Sequence, residues 1–190
     1  MLPSIIIINW TNVSKVTVHG VDLFPPPQTW VPPNCFLEVD DVSKPWSWTQ
    51  KFDLIHLRWL FGSFTDEGWK ELYQSAYKSL KPGGWIEQVE SSVILQAGDG
   101  SIPPSSAISR WGPLFIACGQ KSGRRLDIEE TMRRDIEAAG FTNVHEKYIK
   151  IPIGTWRECL PYQSLYLGAN KASQAPCDER SRPAAAQRGP

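Results

Sequence analysis

KVTVHGVDLFPPP, residues 15–27, decides how this chain is read. Val16, Val18 and Val21 form a β-branched run suited to a pleated strand. The run stops on Asp22, just ahead of Pro25, Pro26 and Pro27, none of which can donate to a ladder. The acid at its end carries two readings. A strand-terminal aspartate is an ordinary turn former, and in a nucleotide-binding α/β sheet an acid ending the second strand accepts hydrogen bonds from ribose hydroxyls.

Working outward, CFLEVDD (35–41) and FDLIHLRWL (52–60) read as further strands, the first again ending on acids, Asp40 and Asp41. Thr65 or Asp66 can cap a helix near 67–80, in which Trp69, Leu72, Tyr73, Ala76, Tyr77 and Leu80 recur at helical spacing. KPGG (81–84) closes it, because Pro82 cannot continue a helix and glycine can turn left-handed. WIEQVESSVIL resumes as a strand near 84–94. A passage rich in Gly, Pro and Ser from Gly98 to Gly123 holds a short helix around SAISRWGPLFIAC. A further helix near 126–139 sets Leu126, Ile128, Met132, Ile136 and Ala139 close to one face, with Gly140 just past its end. A last strand follows near 142–150. Strands alternating with helices predict an α/β fold with a mainly parallel sheet and flanking helices. Beyond about Gly168 the chain has almost no large apolar residue, no strand to finish the sheet is evident, and disorder is expected.

Composition narrows the partners. With 190 residues, 41% of them apolar, the chain suits one domain with a buried core. Twenty basic and twenty acidic residues cancel, so neither nucleic acid nor an anionic membrane is the expected partner. The opening MLPSIIIINW matches neither a secretory signal nor a spanning helix, which makes the expected location intracellular, cytoplasmic or nuclear. Cys35, Cys118, Cys159 and Cys177 show no metal-ligand spacing and read as reduced thiols. Asp40 and Asp41 lack a third ligand at useful spacing, so hydrogen bonding or capping is preferred to a metal.

Taken in order, GVDL, TWVPPN, EVDD, PWSW, FDLIHLRWLFGS and SLKPGGWIEQVE resemble the class I S-adenosylmethionine-dependent methyltransferases. The likeness is to the LaeA-like fungal group, linked to secondary metabolism, and runs from about Val16 to Trp156. The resemblance implies a doubly wound, Rossmann-like sheet, S-adenosyl-L-methionine as cofactor and an unnamed methyl acceptor, small molecule or protein. By it, Asp22 would hold the ribose hydroxyls and Asp40 or Asp41 the adenine amine, with Trp46 and Trp48 on the adenine side. His56 and Arg58 would face the methionine end and the acceptor. The plain alternatives are core packing for the tryptophans, a structural role for His56, and a salt bridge from Arg58 to Glu87 or Glu90. Methyl transfer from a sulfonium is an in-line displacement in which positioning and exclusion of water do most of the work, so no catalytic residue is nominated.

The family also carries a first strand, a GxGxG loop and a helix before its acid-ended strand. Residues 1–15 contain no glycine. SIIIIN cannot be the parallel first strand, because Asn9 to Lys15 is too short for a crossover of a dozen or more residues; it pairs antiparallel or swaps into a neighbour. The expected organisation is therefore a non-family segment at 1–15, a truncated methyltransferase domain at 16–156 and a divergent, disordered tail at 157–190. Two other readings stand beside an enzyme: a non-catalytic pseudo-methyltransferase that binds a protein partner, and a fragment of a longer gene product.

Overall fold

The computed structural model describes residues 5–10, 16–25, 30–98, 100–151 and 184–188. Its strands are β1 (Ile5–Trp10), β2 (Val16–Asp22), β3 (Cys35–Val39), β4 (Phe52–Arg58), β5 (Leu80–Val89), β6 (Phe141–His145) and β7 (Ala184–Arg188). They form one sheet in the order β3-β2-β1-β4-β5-β7-β6. β2 pairs parallel with β3, and β4 with β5. β1 is antiparallel to both β2 and β4, and β7 to both β5 and β6. The five strands expected from the sequence therefore share one direction, and two further strands run against them. The α/β class with parallel strand pairs is as read, although only two of the six pairings are parallel and the sheet is mixed.

β1 and β7 are the departures. The tetra-isoleucine segment sits in the middle of the sheet, with Ile7 opposite His19 on one side and Ile55 on the other. Its short link to β2 forbids a parallel pairing and allows the antiparallel one that forms. β1 thus fills the space between the facing edges of β2 and β4. AAAQR, inside the expected disordered tail, pairs between β5 and β6 and finishes the sheet. A small-residue run gives no apolar period to read, so its partners decide its state. The remaining tail, 157–183 and 189–190, lies outside the described residues.

α1 (Asp66–Ser79) starts on Thr65, whose hydroxyl accepts from the Gly68 amide at 3.1 Å. Trp69, Leu72, Tyr73 and Ala76 are buried as its spacing requires. Leu80 is already extended and opposes Phe52, so the strand expected from 84 begins four residues earlier. α2 spans Ala107–Ser122. The helix expected over 126–139 is divided: a 3₁₀ turn at Ile128–Glu130, then α3 at Met132–Ala138. Thr131, at φ −123°, leaves the helical basin between them. Ile128, Met132 and Ile136 are all buried, so the apolar period survives the break that it could not reveal.

The core lies on the face under α1 and α3. Val21, Ile55, Leu57, Ile86 and Gln88 point to it and are buried. Their neighbours Leu54, His56, Arg58, Trp85, Glu87 and Val89 point to the other face and are only partly buried. Cys35 and Cys118 are free thiols. Among the described residues no helix is long and apolar enough to cross a membrane, and no cluster of three potential metal ligands occurs.

Candidate functional site

Strand register places the sequence-selected residues along the carboxyl edge. Val21, Ile5 and Leu57 form one rung across β2, β1 and β4, and Asp22 and Arg58 each lie one residue beyond it. With one strand between them at about 4.8 Å spacing, their backbones are roughly 10 Å apart. Asp22 opposes Val39, and the amide of Asp40 donates to the Asp22 carbonyl at 3.1 Å, which brings the ends of β2 and β3 together. His56 opposes Ile6 and sits two residues further into the sheet.

The acids at β2 and β3 close their own turns. Asp22 Oδ1 accepts from the Phe24 amide at 3.1 Å, and Asp40 Oδ1 from the Asp41 amide at 2.7 Å. Asp41 Oδ1 accepts from the Ser43 hydroxyl at 2.6 Å and the Ser43 amide at 3.0 Å, and these bonds hold its carboxyl below the usual range. Around them Leu23, Phe24, Trp30, Val39 and Trp59 are exposed, so the edge offers large apolar surface beside carboxylates. Trp46 and Trp48 meet edge to face at 5.4 Å, and Trp48 meets Phe52 at 5.9 Å. Both pack against the core, which favours the packing explanation for them.

The β4–β5 side is wired differently. Neither proposed salt bridge of Arg58 forms. Its guanidinium instead lies over the Trp59 ring, 5.1 Å from the centroid. Glu87 is taken by His56, Nδ1 to Oε2 at 2.7 Å, and that bond draws the Glu87 carboxyl down. Glu90 accepts from the amides of Leu60 and Phe61 and from Gln88 Nε2, each at 3.1 Å. Gln88 in turn accepts from the Tyr73 hydroxyl at 2.7 Å. Burial pushes the Glu90 carboxyl up to about 7 despite those donors. Sequence reading cast Glu90 only as a partner for Arg58; the missed signal is its parity with buried Ile86 and Gln88, which turns it inward.

α2 reaches this region through glycines. Gly112 lies where an added Cβ would come within 2.9 Å of Ile94, and at Gly119 it would come within 2.7 Å of the Arg124 carbonyl. Below α2 opens a cavity of about 440 Å³, lined in part by Asp66, Ile116, Gly119, Arg124, Arg125 and Asp127. Arg125 pairs with Asp127 at 2.7 Å and with Asp66 at 3.3 Å, so much of its charge is satisfied within the wall. None of the residues chosen from the sequence lines it.

The chain is similar to known proteins over most of its length. The chain is 39% identical over 140 residues to the methyltransferase pytC of Aspergillus terreus, covering 73% of this chain and 42% of that protein. It is 37% identical over 142 residues to the secondary metabolism regulator LAE1 of Cochliobolus heterostrophus, covering 73% of this chain and 46% of that protein. The chain thus spans less than half the length of these curated relatives. Among solved structures it resembles the N-methyltransferase NodS of Bradyrhizobium japonicum at a TM-score of 0.49 and 13% identity, over 90% of this chain and 73% of that one. Residues 6–146 match the methyltransferase domain family, and the chain belongs to that family.

Proposed function

We propose that the carboxyl edge of β2, β3 and β4 binds S-adenosyl-L-methionine for transfer of its methyl group. Register is the observation that carries this reading: Asp22, Asp40 and Arg58 stand at the carboxyl ends of β2, β3 and β4, which run in one direction, and α/β sheets bind their ligands outside such ends. Asp22 would accept from the ribose hydroxyls and Asp40 or Asp41 from the adenine amine. His56 and Arg58 would lie toward the methionine end and the acceptor, a small molecule or a protein. An intracellular site, cytoplasmic or nuclear, belongs to the same proposal.

This chain's own residues would orient the sulfonium and exclude water, and positioning of that kind can supply most of the acceleration of an in-line displacement. The 2.7 Å bond from His56 Nδ1 to Glu87 fixes the orientation of the imidazole. Isothermal titration of S-adenosylmethionine into residues 1–190 and into the Asp22→Ala variant tests the reading. Weaker binding by the variant supports it, and equal binding by both refutes Asp22 as a ribose ligand.

A further inference from the structure

Glu90 stands just past the end of β5, and its two oxygens meet only donors among the bonds described: the amides of Leu60 and Phe61 and the side-chain amide of Gln88. Those two amides begin the loop that leaves β4. The same loop carries Trp59 in the left-handed region at φ 54°, a conformation that non-glycine residues adopt only when neighbours enforce it. Trp59 donates its own amide to the Val89 carbonyl at 3.0 Å, and Ser63 donates to the Leu60 carbonyl at 2.9 Å. Arg58, immediately before this turn, lies over the Trp59 ring.

We propose that Glu90 is a positioning residue whose ionised carboxylate fixes the Trp59–Phe64 loop, and with it Arg58 and Trp59 at the carboxyl edge. A carboxylate can accept from all three donors at once. A carboxylic acid cannot: its proton would face an N–H on either oxygen, so protonation breaks at least one bond to the loop. Opposing ionisation are burial and the nearby charge of Glu129 on the 3₁₀ turn. Glu129 is itself raised by burial, and its Oε2 has no partner among the described residues. Tyr73, from α1, reaches Glu90 only through Gln88 and stays neutral across the working range. The clamp therefore takes or loses its proton near neutrality, and the geometry of the β4 exit follows it. This goes beyond the cofactor reading and does not depend on it.

The test is a pH titration of the full chain from 5.5 to 8.5 followed by amide proton and nitrogen resonances. The Leu60 and Phe61 amides should move together with a midpoint near 7, as donors to one titrating carboxylate. In Glu90→Gln that movement should vanish, and in Glu129→Gln its midpoint should fall, because a like charge has gone. Amides that stay flat, a movement that survives in Glu90→Gln, or a midpoint unchanged in Glu129→Gln would each overturn the proposal. Should Glu90→Gln fail to fold, the Glu129→Gln midpoint still decides. Titration of S-adenosylmethionine at pH 6 and pH 8 separates the two readings. A chain whose amides titrate but that takes no cofactor at either pH keeps the clamp and loses the cofactor site.

Discussion

The two halves of the carboxyl edge use their acids in opposite ways. At β2 and β3, Asp22, Asp40 and Asp41 bond to groups one or two residues away, beside exposed Leu23, Phe24 and Val39. At β4 and β5, Glu87 and Glu90 reach across some thirty residues of sequence, to His56 and to the β4 exit loop. Acids of the first kind shape a turn and keep faces toward solvent. Those of the second kind have long-range donors on both oxygens or a fixed imidazole partner, and belong to the framework. Substitutions should therefore damage folding on one half and ligand binding on the other.

The largest loss is expected beneath the β4–β5 half. Trp69 of α1 is fully buried between Phe64, at 5.0 Å, and Tyr73, at 5.7 Å. Trp69→Ala should cost about 3–5 kcal/mol, through lost transfer free energy and the cavity left behind. Its indole N–H has no partner among the described residues, so Trp69→Phe should cost distinctly less than the volume change alone implies. Denaturant unfolding of the two variants checks the order.

Next in size is the pH dependence set by Glu90. Its carboxyl is raised from 4.5 to about 7 in the folded chain, so between those values the folded state holds a proton that the unfolded state has released. Stability from this group is fully present below about 4.5, declines as pH rises, and is gone above about 7. The shift corresponds to something on the order of 3 kcal/mol. Ionisation thus weakens the fold globally while it organises the exit loop locally. Unfolding measured from pH 5 to pH 8 should show stability falling, and Glu90→Gln should flatten most of the slope. Glu129, raised in the same direction, leaves a remainder.

A third test concerns β1, which joins the two halves. Ile7 lies in the ladder with neighbours on both sides, so Ile7→Pro removes a donor wherever its amide points and leaves a carbonyl unpaired, at about 1–3 kcal/mol. An unchanged unfolding midpoint would show that β1 is not central in solution.

β1 also marks how far the sequence could be read. The five parallel strands, α1 and its cap were legible because β-branched runs, helical spacing and Thr65 are local signals. The central position of β1 was not, since strand order is decided by which edges are left to pair. β7 was invisible for a related reason: AAAQR has no period, and its neighbours β5 and β6 select it. At the edge, the strand-end positions of Asp22, Asp40 and Arg58 were legible because the β-branched and apolar runs that precede them are local signals. The alternative of a salt bridge from Arg58 to Glu87 or Glu90 does not form, because the sequence shows that an acid is near an arginine but not which way each side chain turns. Arg58 points to the open face and Glu90 toward the loop, so strand parity separates them before distance matters.

The smallest stability effect and the sharpest test of the contrast meet at Asp22. Asp22 closes a turn with the Phe24 amide at 3.1 Å, and losing a hydrogen bond of that kind in Asp22→Ala should cost about 0.5–1.5 kcal/mol of folding stability. Affinity for S-adenosylmethionine should fall further, by roughly 1.5–3 kcal/mol for a charged acceptor facing ribose hydroxyls, which is about tenfold or more. The starting affinity is itself expected to be low. No glycine precedes Gly20 in this sequence, so within these 190 residues no glycine-rich loop ahead of β2 brings backbone amides to the cofactor. Two or three such bonds at roughly 0.5–1.5 kcal/mol each, with a helix N-terminus at about 0.3–1, would otherwise add on the order of 2–5 kcal/mol. Titration calorimetry should accordingly find binding weaker than micromolar for residues 1–190, and weaker again for Asp22→Ala by more than that variant loses in folding stability. Micromolar binding by the unaltered chain would mean that another segment completes the site. A variant that loses stability and affinity in equal measure would place Asp22 with the framework acids and erase the difference between the two halves.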